Sequence, residues 1–263
     1  MKFLFITLFP EQIEQAAGHS IIQRAVNKGL VEISCINPRE FTHDVHRTVD
    51  DTPFGGGAGM VLKPEPMVAA IRKAKEQLPN ARVIAMCPGG RTLKQSIVEE
   101  YAHCGQDFIF VCGHYEGIDQ RFLDECVDEE ISMGDFVLTG GEIPAMAIVD
   151  AVSRLIPGVL GGDICFTDES HWNGLLEYPQ YSRPDEWHGR RVPDVLLSGH
   201  HGNVEKWRRK QSYIRTMLRR PDLWAQFDES VCKTKGERKL LAEAKAEAEA
   251  LRTGAEPSPA DDQ

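Results

Sequence analysis

Residues 107–117 read Asp-Phe-Ile-Phe-Val-Cys-Gly-His-Tyr-Glu-Gly, an apolar run that leads directly into a glycine-containing turn. Similar runs recur between residue 1 and about residue 160, and helical patterns separate them. Val, Ile and Phe occupy successive positions in these runs, which is typical of strands covered by helices on both faces. The alternation predicts an α/β domain with a mostly parallel sheet.

The apolar runs predict the strands, and 3.6-residue periodicity predicts the helices between them. The predicted strands cover residues 2–8, 31–36, 82–86, 107–112 and 136–138. The predicted helices lie near residues 18–29, 65–78, 92–104, 117–126 and 142–155. The first run imitates a secretory signal, but it stops at Pro10 and is followed by the acidic Glu11 and Glu14. We therefore predict a buried first strand.

The sequence changes character near residue 160, where a Gly-rich, irregular stretch without a strand pattern begins. We predict an α/β domain over 1–160, a linker over 161–175, a small all-helical domain over 176–252 and a disordered tail over 253–263. The helices of the second domain are expected near 203–219, 221–228 and 236–252.

The composition of the 263 residues excludes several classes of protein. With 41% hydrophobic residues the chain can bury a core, so disorder of the whole chain is excluded. A net charge of −10 argues against a protein that coats nucleic acid nonspecifically. No apolar run approaches the roughly 18–20 residues that cross a bilayer, so we expect no membrane partner. Seven cysteines without a CxxC pair predict a reducing, cytoplasmic location.

Three glycine-containing turns, at residues 87–90, 112–117 and 132–141, each follow an apolar run. Ligands of open parallel sheets bind at the carboxyl ends of the strands, so we predict that the three turns surround one ligand. The sequence lacks GxGxxG and the P-loop motif, which argues against dinucleotide and P-loop nucleotide sites. The Gly-rich residues 53–61 leave two interpretations open: a flexible surface turn, or a loop whose bare backbone closely approaches a ligand.

Hydrolase and metal chemistry find little support in the sequence. Residues 168–171 contain the residue types of a catalytic triad, but neighbours along a chain cannot form its relay. The histidine pairs at 43 and 46 and at 200 and 201 lack further ligands at a recognisable spacing. We therefore predict no metal site.

The predicted helix at 142–155 carries Glu142, Asp150 and Arg154 on an otherwise apolar surface. Such a helix is expected to be buried both in the core and against a partner chain. Arg154 would then lie beside an interface, where a guanidinium can receive developing negative charge. The alternative is a simple i,i+4 pair between Asp150 and Arg154.

The charge balance reverses between residues 206 and 220, which contain seven basic residues and no acidic one. Helical projection places Arg208, Arg215 and Arg219 in one row beside an apolar stripe. The predicted stripe consists of Val204, Trp207, Gln211, Ile214 and Leu218. A solvated helix face normally carries mixed charges, so the single sign favours contact with a phosphate backbone. The predicted nucleic-acid-binding residues are Arg208, Arg209, Arg215, Arg219 and Arg220.

Several longer motifs occur in a fixed order along the chain. They are PFGGGAGMVLKPEP (53–66), CPGGRTL (87–93), GHYEGIDQR (113–121), DEEISMGDFVLTGGEIPAM (128–146), SRLIPGVLG (153–161), GLLEYPQYSRP (174–184), VPDVLLSGHH (192–201) and WRRKQS…RRPDL (207–223). These motifs resemble the bacterial tRNA (guanine(37)-N1)-methyltransferase family of the SPOUT class, from residue 1 to about residue 250. Two alternatives remain: a SPOUT methyltransferase for another RNA site, and an RNA-binding protein without activity.

The resemblance implies a parallel sheet with a deep trefoil knot, a rare exception to ordinary chain topology. It also implies tRNA as partner, S-adenosylmethionine as methyl donor, a homodimer with the active site at the subunit interface, and a dependence on Mg²⁺. Matched by position, the implied cofactor-binding residues are Met86, Cys87, Pro88, Gly89, Gly113, Tyr115, Glu116, Gly117, Ser132, Met133, Gly134, Asp135, Phe136, Val137, Leu138, Gly140, Gly141 and Pro144.

The resemblance also implies catalytic residues. The proton on N1 of guanine must be removed by a base, and the resulting charge on O6 needs a cation. The family uses a linker Asp as the base and an Arg on the interface helix, which Arg154 matches. Glu169 stands at the position of the usual Asp and is favoured by register, and its neighbour Asp168 remains a candidate. His114 replaces an Arg that relatives often carry in the same turn.

Overall fold

The computed structural model describes residues 1–161 and 169–254. Contacts within the chain divide it into two compact units, Met1–Asp163 and Ile164–Gln263. Among the helices in the described ranges, none is long and apolar enough to cross a bilayer.

The first unit alternates strands and helices. Its elements are β1 (Lys2–Ile6), α1 (Pro10–Ala17), α2 (Ser20–Asn27), β2 (Glu32–Ile36), β3 (Asp50–Asp51), β4 (Val61–Leu62), α3 (Pro64–Gln77), β5 (Arg82–Thr92), α4 (Gln95–His103), β6 (Phe108–Val111), α5 (Gln120–Cys126), β7 (Glu129–Ser132) and α6 (Glu142–Ser153). Strands β3 and β4 form a separate antiparallel pair.

The main sheet has the strand order β2-β1-β6-β5-β7, and all of its pairs are parallel. Leu4 and Ile6 of β1 face a core cluster that includes Met67 of α3. On the other face, the ring of Phe3 stacks on that of Phe108 at 6.0 Å between centroids. Both faces of the sheet are therefore covered, and the predicted α/β class with a parallel sheet is confirmed.

The predicted strand at 136–138 is wrong, because the fifth strand is β7. Phe136 and Val137 are 56% and 81% exposed and belong to the loop after β7. The first half of β7 is acidic. An edge strand tolerates charged residues, and β7 lies at the edge of the sheet. The Glu129 carboxylate accepts a hydrogen bond from the Tyr101 hydroxyl at 2.8 Å. The sequence pattern also gave no sign of α1, which begins at Pro10 and buries only Ile13.

The second unit is mainly helical. Its elements are β8 (Glu186–Trp187), β9 (Arg190–Arg191), α7 (Asp194–Leu197), α8 (His201–Arg219), α9 (Pro221–Trp224) and α10 (Lys235–Thr253). The expectation of an all-helical domain is wrong, because β8 and β9 pair as an antiparallel hairpin. His188 and Gly189 connect these strands with φ of 51° and 75°, the backbone of a type I′ turn.

The core of the second unit lies between α8 and α10. Tyr213, Ile214 and Met217 of α8 are buried, whereas Leu218, a member of the predicted apolar stripe, is 37% exposed. The buried face of α8 differs from the predicted stripe because it includes polar residues. Ser212 donates to the Leu176 carbonyl at 2.5 Å, and Thr216 accepts from the Leu176 N–H at 2.8 Å.

The second unit extends beyond the boundaries predicted for the second domain, 176–252, at both ends. Leu175, at the end of the predicted linker, is buried in the core of this unit. At the other end α10 continues through Thr253, and Gly254 caps it in the left-handed conformation. Residues 255–263 of the predicted tail and residues 162–168 of the predicted linker lie outside the described residues.

Candidate active site

The three predicted turns meet around one cavity of about 410 Å³ at the carboxyl ends of β5, β6 and β7. The volume falls in the range of about 300–1,000 Å³ that is common for small-molecule sites. All of the predicted cofactor-binding residues line the cavity except Gly89, Gly134 and Asp135. His114 and Thr139 of the predicted turns also line the cavity, and the lining residues outside the predicted turns are Ala85, Ile118, Gln120, Leu123 and Ile131.

The first turn, residues 87–90, interrupts the pairing of β5 with β7. Met86 and Arg91 both pair with Ile131, so the four residues between them bulge out of the strand. Gly90 closes this bulge against the backbone of β7. A Cβ atom at Gly90 would lie 2.5 Å from the carbonyl carbon of Glu130 and from the amide nitrogen of Ile131. The close approach of the two strands therefore depends on the absence of a side chain.

The second turn, residues 113–117, is supported by the chain segment before α3. The Glu116 N–H donates to the Met60 carbonyl and the Leu62 N–H donates to the Gly117 carbonyl, both at 3.0 Å. The side chain of Glu116 lies directly against Gly59, whose φ is +87°. The bare backbone of the Gly-rich segment therefore makes a close approach at Gly59. The group that it approaches is the side chain of Glu116, which lines the cavity.

The third turn, residues 132–141, pairs with the second. The Gly141 N–H donates to the Gly113 carbonyl at 3.0 Å, and His114 forms an antiparallel bridge with Gly140. The Ser132 hydroxyl accepts from the Gly134 N–H at 3.1 Å and fixes the start of the turn. In this way residues distant in sequence form one wall of the cavity.

The cavity contains a thiol group that could be considered a nucleophile. Burial is the main cause that raises the pKa of the Cys87 thiol, and its contact with Glu130 raises that pKa further. Cys112, directly before the second turn, is fully buried, which raises the pKa of its thiol well above its usual value. Both cysteines are therefore protonated at neutral pH and poorly suited to nucleophilic attack.

Helix α6 begins beside the cavity and ends at Arg154. Its side chains are mostly buried, but Ile143 is 58% exposed. Arg154 caps the carboxyl end of the helix, where its N–H donates to the Asp150 carbonyl at 3.2 Å, and its side chain is half-buried. The exposed apolar surface near the cavity thus comprises Ile143 and the loop residues Phe136, Val137 and Leu138.

Glu169 lies in the second unit, and Asp168 lies outside the described residues. A cavity of about 340 Å³ includes Glu169 together with Tyr178, Arg208 and Arg209. The predicted base is therefore next to two of the predicted nucleic-acid-binding arginines. This proximity was not predicted from the sequence, because nearly forty positions separate Glu169 from Arg208.

The basic residues of α8 have different environments. The Arg208 guanidinium lies over the Tyr178 ring at 4.7 Å, and that of Arg209 lies over the Tyr213 ring at 5.9 Å. Arg215 is half-buried and Arg219 is exposed. Two of the basic groups pair with carboxylates inside the unit.

The first pair joins Lys210 to Glu247 of α10 at 2.8 Å between Nζ and Oε2. In the second, the Arg220 guanidinium donates to both carboxylate oxygens of Asp222 and lowers the pKa of that carboxyl to about 2. Lys210 and Arg220 are therefore partly neutralised, and the basic run predicted over residues 206–220 is weaker at these two positions.

A magnesium site was tested by the grouping of its usual ligands. Within residues 1–161 and 169–254, no three His, Cys, Asp or Glu side chains come together in a group that could hold a metal ion. No chemical step is therefore assigned to a magnesium ion.

Comparisons with known proteins identify the family of this chain. Residues 1–226 match the model of the family described as tRNA (Guanine-1)-methyltransferase TrmD. Proteins named tRNA (guanine-N(1)-)-methyltransferase are similar over nearly their whole length. The protein of Ruminiclostridium cellulolyticum is 54% identical over 227 residues, which cover 85% of this chain and 96% of that protein.

Two further relatives of the same name extend the match. The protein of Dehalococcoides mccartyi is 50% identical over 248 residues, which cover 94% of this chain and 98% of the relative. That of a Geobacter species is 50% identical over 243 residues, with coverages of 92% and 96%. The chain therefore belongs to the tRNA (guanine-1)-methyltransferase TrmD family.

Proposed function

We propose that this protein transfers the methyl group of S-adenosylmethionine to N1 of guanosine 37, next to the anticodon of tRNA. The observation that carries the proposal is the cavity formed by three strand-end turns in a chain of the tRNA guanine-N1 methyltransferase family. Membership of a methyltransferase family implies S-adenosylmethionine as the donor. When bound, this donor supplies an electrophilic methyl group on a positively charged sulfur.

The lining of the cavity fits each part of this donor. Ile131, Phe136 and Leu138 offer apolar contacts for the adenine ring, and the glycine turns expose backbone donors and acceptors. Glu116 is a lining residue of the same cavity, and its negative charge suits the positive charge of the donor. We infer that these residues bind and orient the donor.

The Gly59→Ala variant tests the contact between Gly59 and Glu116. The new methyl group would displace the Glu116 side chain, so we expect affinity for S-adenosylmethionine to fall about tenfold, or about 1.4 kcal/mol, in calorimetric titrations. Gly55→Ala is the matched control, because Gly55 has the same φ of +87° but a methyl group there would meet nothing within 4 Å. Equal affinities in the two variants would show that the Glu116 contact has no effect on binding.

Catalysis requires a base for the N1 proton of guanine. Glu169 is assigned this role and Asp168 is the alternative, since a carboxylate can accept the proton as N1 attacks the methyl group. The cationic Arg154 is assigned to O6, where negative charge develops. The methyl group passes directly to N1, in keeping with the raised pKa of the cavity thiol, Cys87.

Recognition of tRNA is assigned to α8. Arg208, Arg209, Arg215 and Arg219 carry positive charge that suits the phosphates of the anticodon arm, and Arg220 is a weaker contributor because it pairs with Asp222. Access to N1 requires that the guanine leaves its stack and enters the active site. Glu169 lines the same cavity as Arg208 and Arg209, so the proposed base and phosphate contacts are near one another.

We also propose that the protein is a homodimer and that the sheet contains the trefoil knot of its class. The exposed apolar residues Phe136, Val137, Leu138 and Ile143 beside the cavity support a partner surface there. The direct pairing of the second and third turns supports the knot. Sedimentation equilibrium tests the dimer, and a monomer at micromolar concentration would contradict it. A crystal structure with an unthreaded chain would contradict the knot.

The experiment that tests the function compares two tRNA transcripts, one with G37 and one with A37, in a methyl-incorporation assay with labelled donor. We expect incorporation into the first and a loss of at least a hundredfold in the second. Undiminished incorporation into the A37 transcript would favour a methyltransferase for another RNA site. tRNA binding without uptake of S-adenosylmethionine would favour an RNA-binding protein without activity. The same assay with a chelator tests the Mg²⁺ dependence.

A further inference from the structure

His114, Glu142 and Thr7 form a chain of hydrogen bonds behind the cofactor cavity. The Thr7 hydroxyl donates to Oε1 of Glu142 at 2.6 Å, and Nε2 of His114 lies 2.8 Å from Oε2 of the same carboxylate. The hydroxyl of Thr7 also accepts a hydrogen bond from the Phe9 N–H at 2.9 Å. Three distant parts of the chain, the end of β1, the second turn and the start of α6, are thus joined at one carboxylate.

The carboxylate at the centre of this chain is buried. Glu142 is only 2% exposed, and its first-turn position places it at the positive end of the α6 dipole. Each of its two oxygens receives a side-chain hydrogen bond. A buried charge that loses such a bond is strongly destabilised, because water cannot replace the missing donor. The geometry of the three residues is therefore closely constrained.

His114 is the member of this chain that lines the cofactor cavity. Its ring packs edge-on against Phe9 at 4.9 Å between centroids, and its backbone bridges to Gly140. Gly140 lies directly against the imidazole and the Glu142 carboxylate, so the second and third turns meet at this point. A movement of the imidazole would therefore shift both turns that line the cavity.

We propose that His114 is a positioning residue that, through its hydrogen bond to Glu142, holds the second and third turns in the shape that binds the methyl donor. The inference rests on the proposed function, because it concerns the same cavity. It assigns to His114 a role that depends on its contact with the buried Glu142 carboxylate.

Two substitutions at His114 separate the hydrogen bond from packing. His114→Phe keeps a ring against Phe9 but removes the donor, and His114→Gln keeps an N–H donor. We expect His114→Phe to weaken binding of S-adenosylmethionine about tenfold, and His114→Gln to stay within about threefold of the wild-type protein. We also expect KM for the donor to rise while kcat at saturating donor changes by less than threefold. The same His→Phe change at exposed His43 is the control.

The outcomes distinguish this inference from the proposed function. If the wild-type protein does not bind S-adenosylmethionine, the proposed function fails. If it binds and His114→Phe binds equally well, or if His114→Gln is as weak as His114→Phe, the positioning role alone fails. Should His114→Phe not fold, His114→Leu decides, since it also removes the donor to Glu142 with a smaller side chain. We expect it to weaken binding about tenfold, and unchanged affinity would overturn the inference.

Discussion

The Glu169→Gln variant is expected to transfer methyl groups at least about a hundredfold more slowly than the wild-type protein in a single turnover. The neutral amide cannot accept the N1 proton, and loss of a general base costs roughly 10²–10⁴ in rate. Affinity for S-adenosylmethionine is expected to remain unchanged, because Glu169 is not among the residues that line the cofactor cavity. Rapid-quench measurements with saturating tRNA and labelled donor give the rate of transfer.

Asp168→Asn is the companion variant, since either carboxylate can serve as the base. Glu177→Gln is the control: it makes the same chemical change in the same segment, and a glutamine can still accept the hydrogen bond from Gln180. A large loss in one variant alone identifies the base. If neither Glu169→Gln nor Asp168→Asn lowers the rate by more than about tenfold, the assignment of a base in this segment is wrong.

The sequence predicted the parallel sheet because its inner strands are apolar on both faces. Phe108, Ile109 and Phe110 of β6 are all fully buried, and such a run leaves little choice of structure. The edge strand β7 was missed because Glu129 and Glu130 make its first half acidic. The apolar run of residues 136–138 was mistaken for a strand, although these side chains are exposed in the described chain.

The cavity could be located from the sequence because the turns directly follow the strands. Ile118, Gln120 and Leu123 were missed since they follow the second turn into α5 and carry no glycine signal. The hydrogen bond from Thr7 to Glu142 spans 135 positions, and no local pattern could reveal it. In the same way, the run of basic residues on α8 gave no sign that Glu247 of α10 pairs with Lys210.

The Gly90→Ala variant is expected to have the largest effect on stability. Its methyl group would lie 2.5 Å from two backbone atoms of β7, much closer than van der Waals contact. A side chain could rotate away, but backbone atoms can move only if β5 and β7 separate. We therefore expect the free energy of unfolding to fall by about 3 kcal/mol, near the upper end of the usual cost of overpacking.

Gly89→Ala is the matched control, because the neighbouring glycine is in the same bulge but its methyl group would meet only the Cys87 sulfur, at 3.8 Å. We expect its free energy of unfolding in urea to stay within about 0.5 kcal/mol of the wild-type value. Both variants change one hydrogen to a methyl group, so the difference between their stabilities reports the approach of β5 to β7 and not the chemistry of the substitution.

The pairing of strand β5 with strand β7 positions two of the three turns, so Gly90→Ala should also weaken binding of the methyl donor. Equal stability of the two variants would mean that the strands at the bulge are further apart than the structure places them.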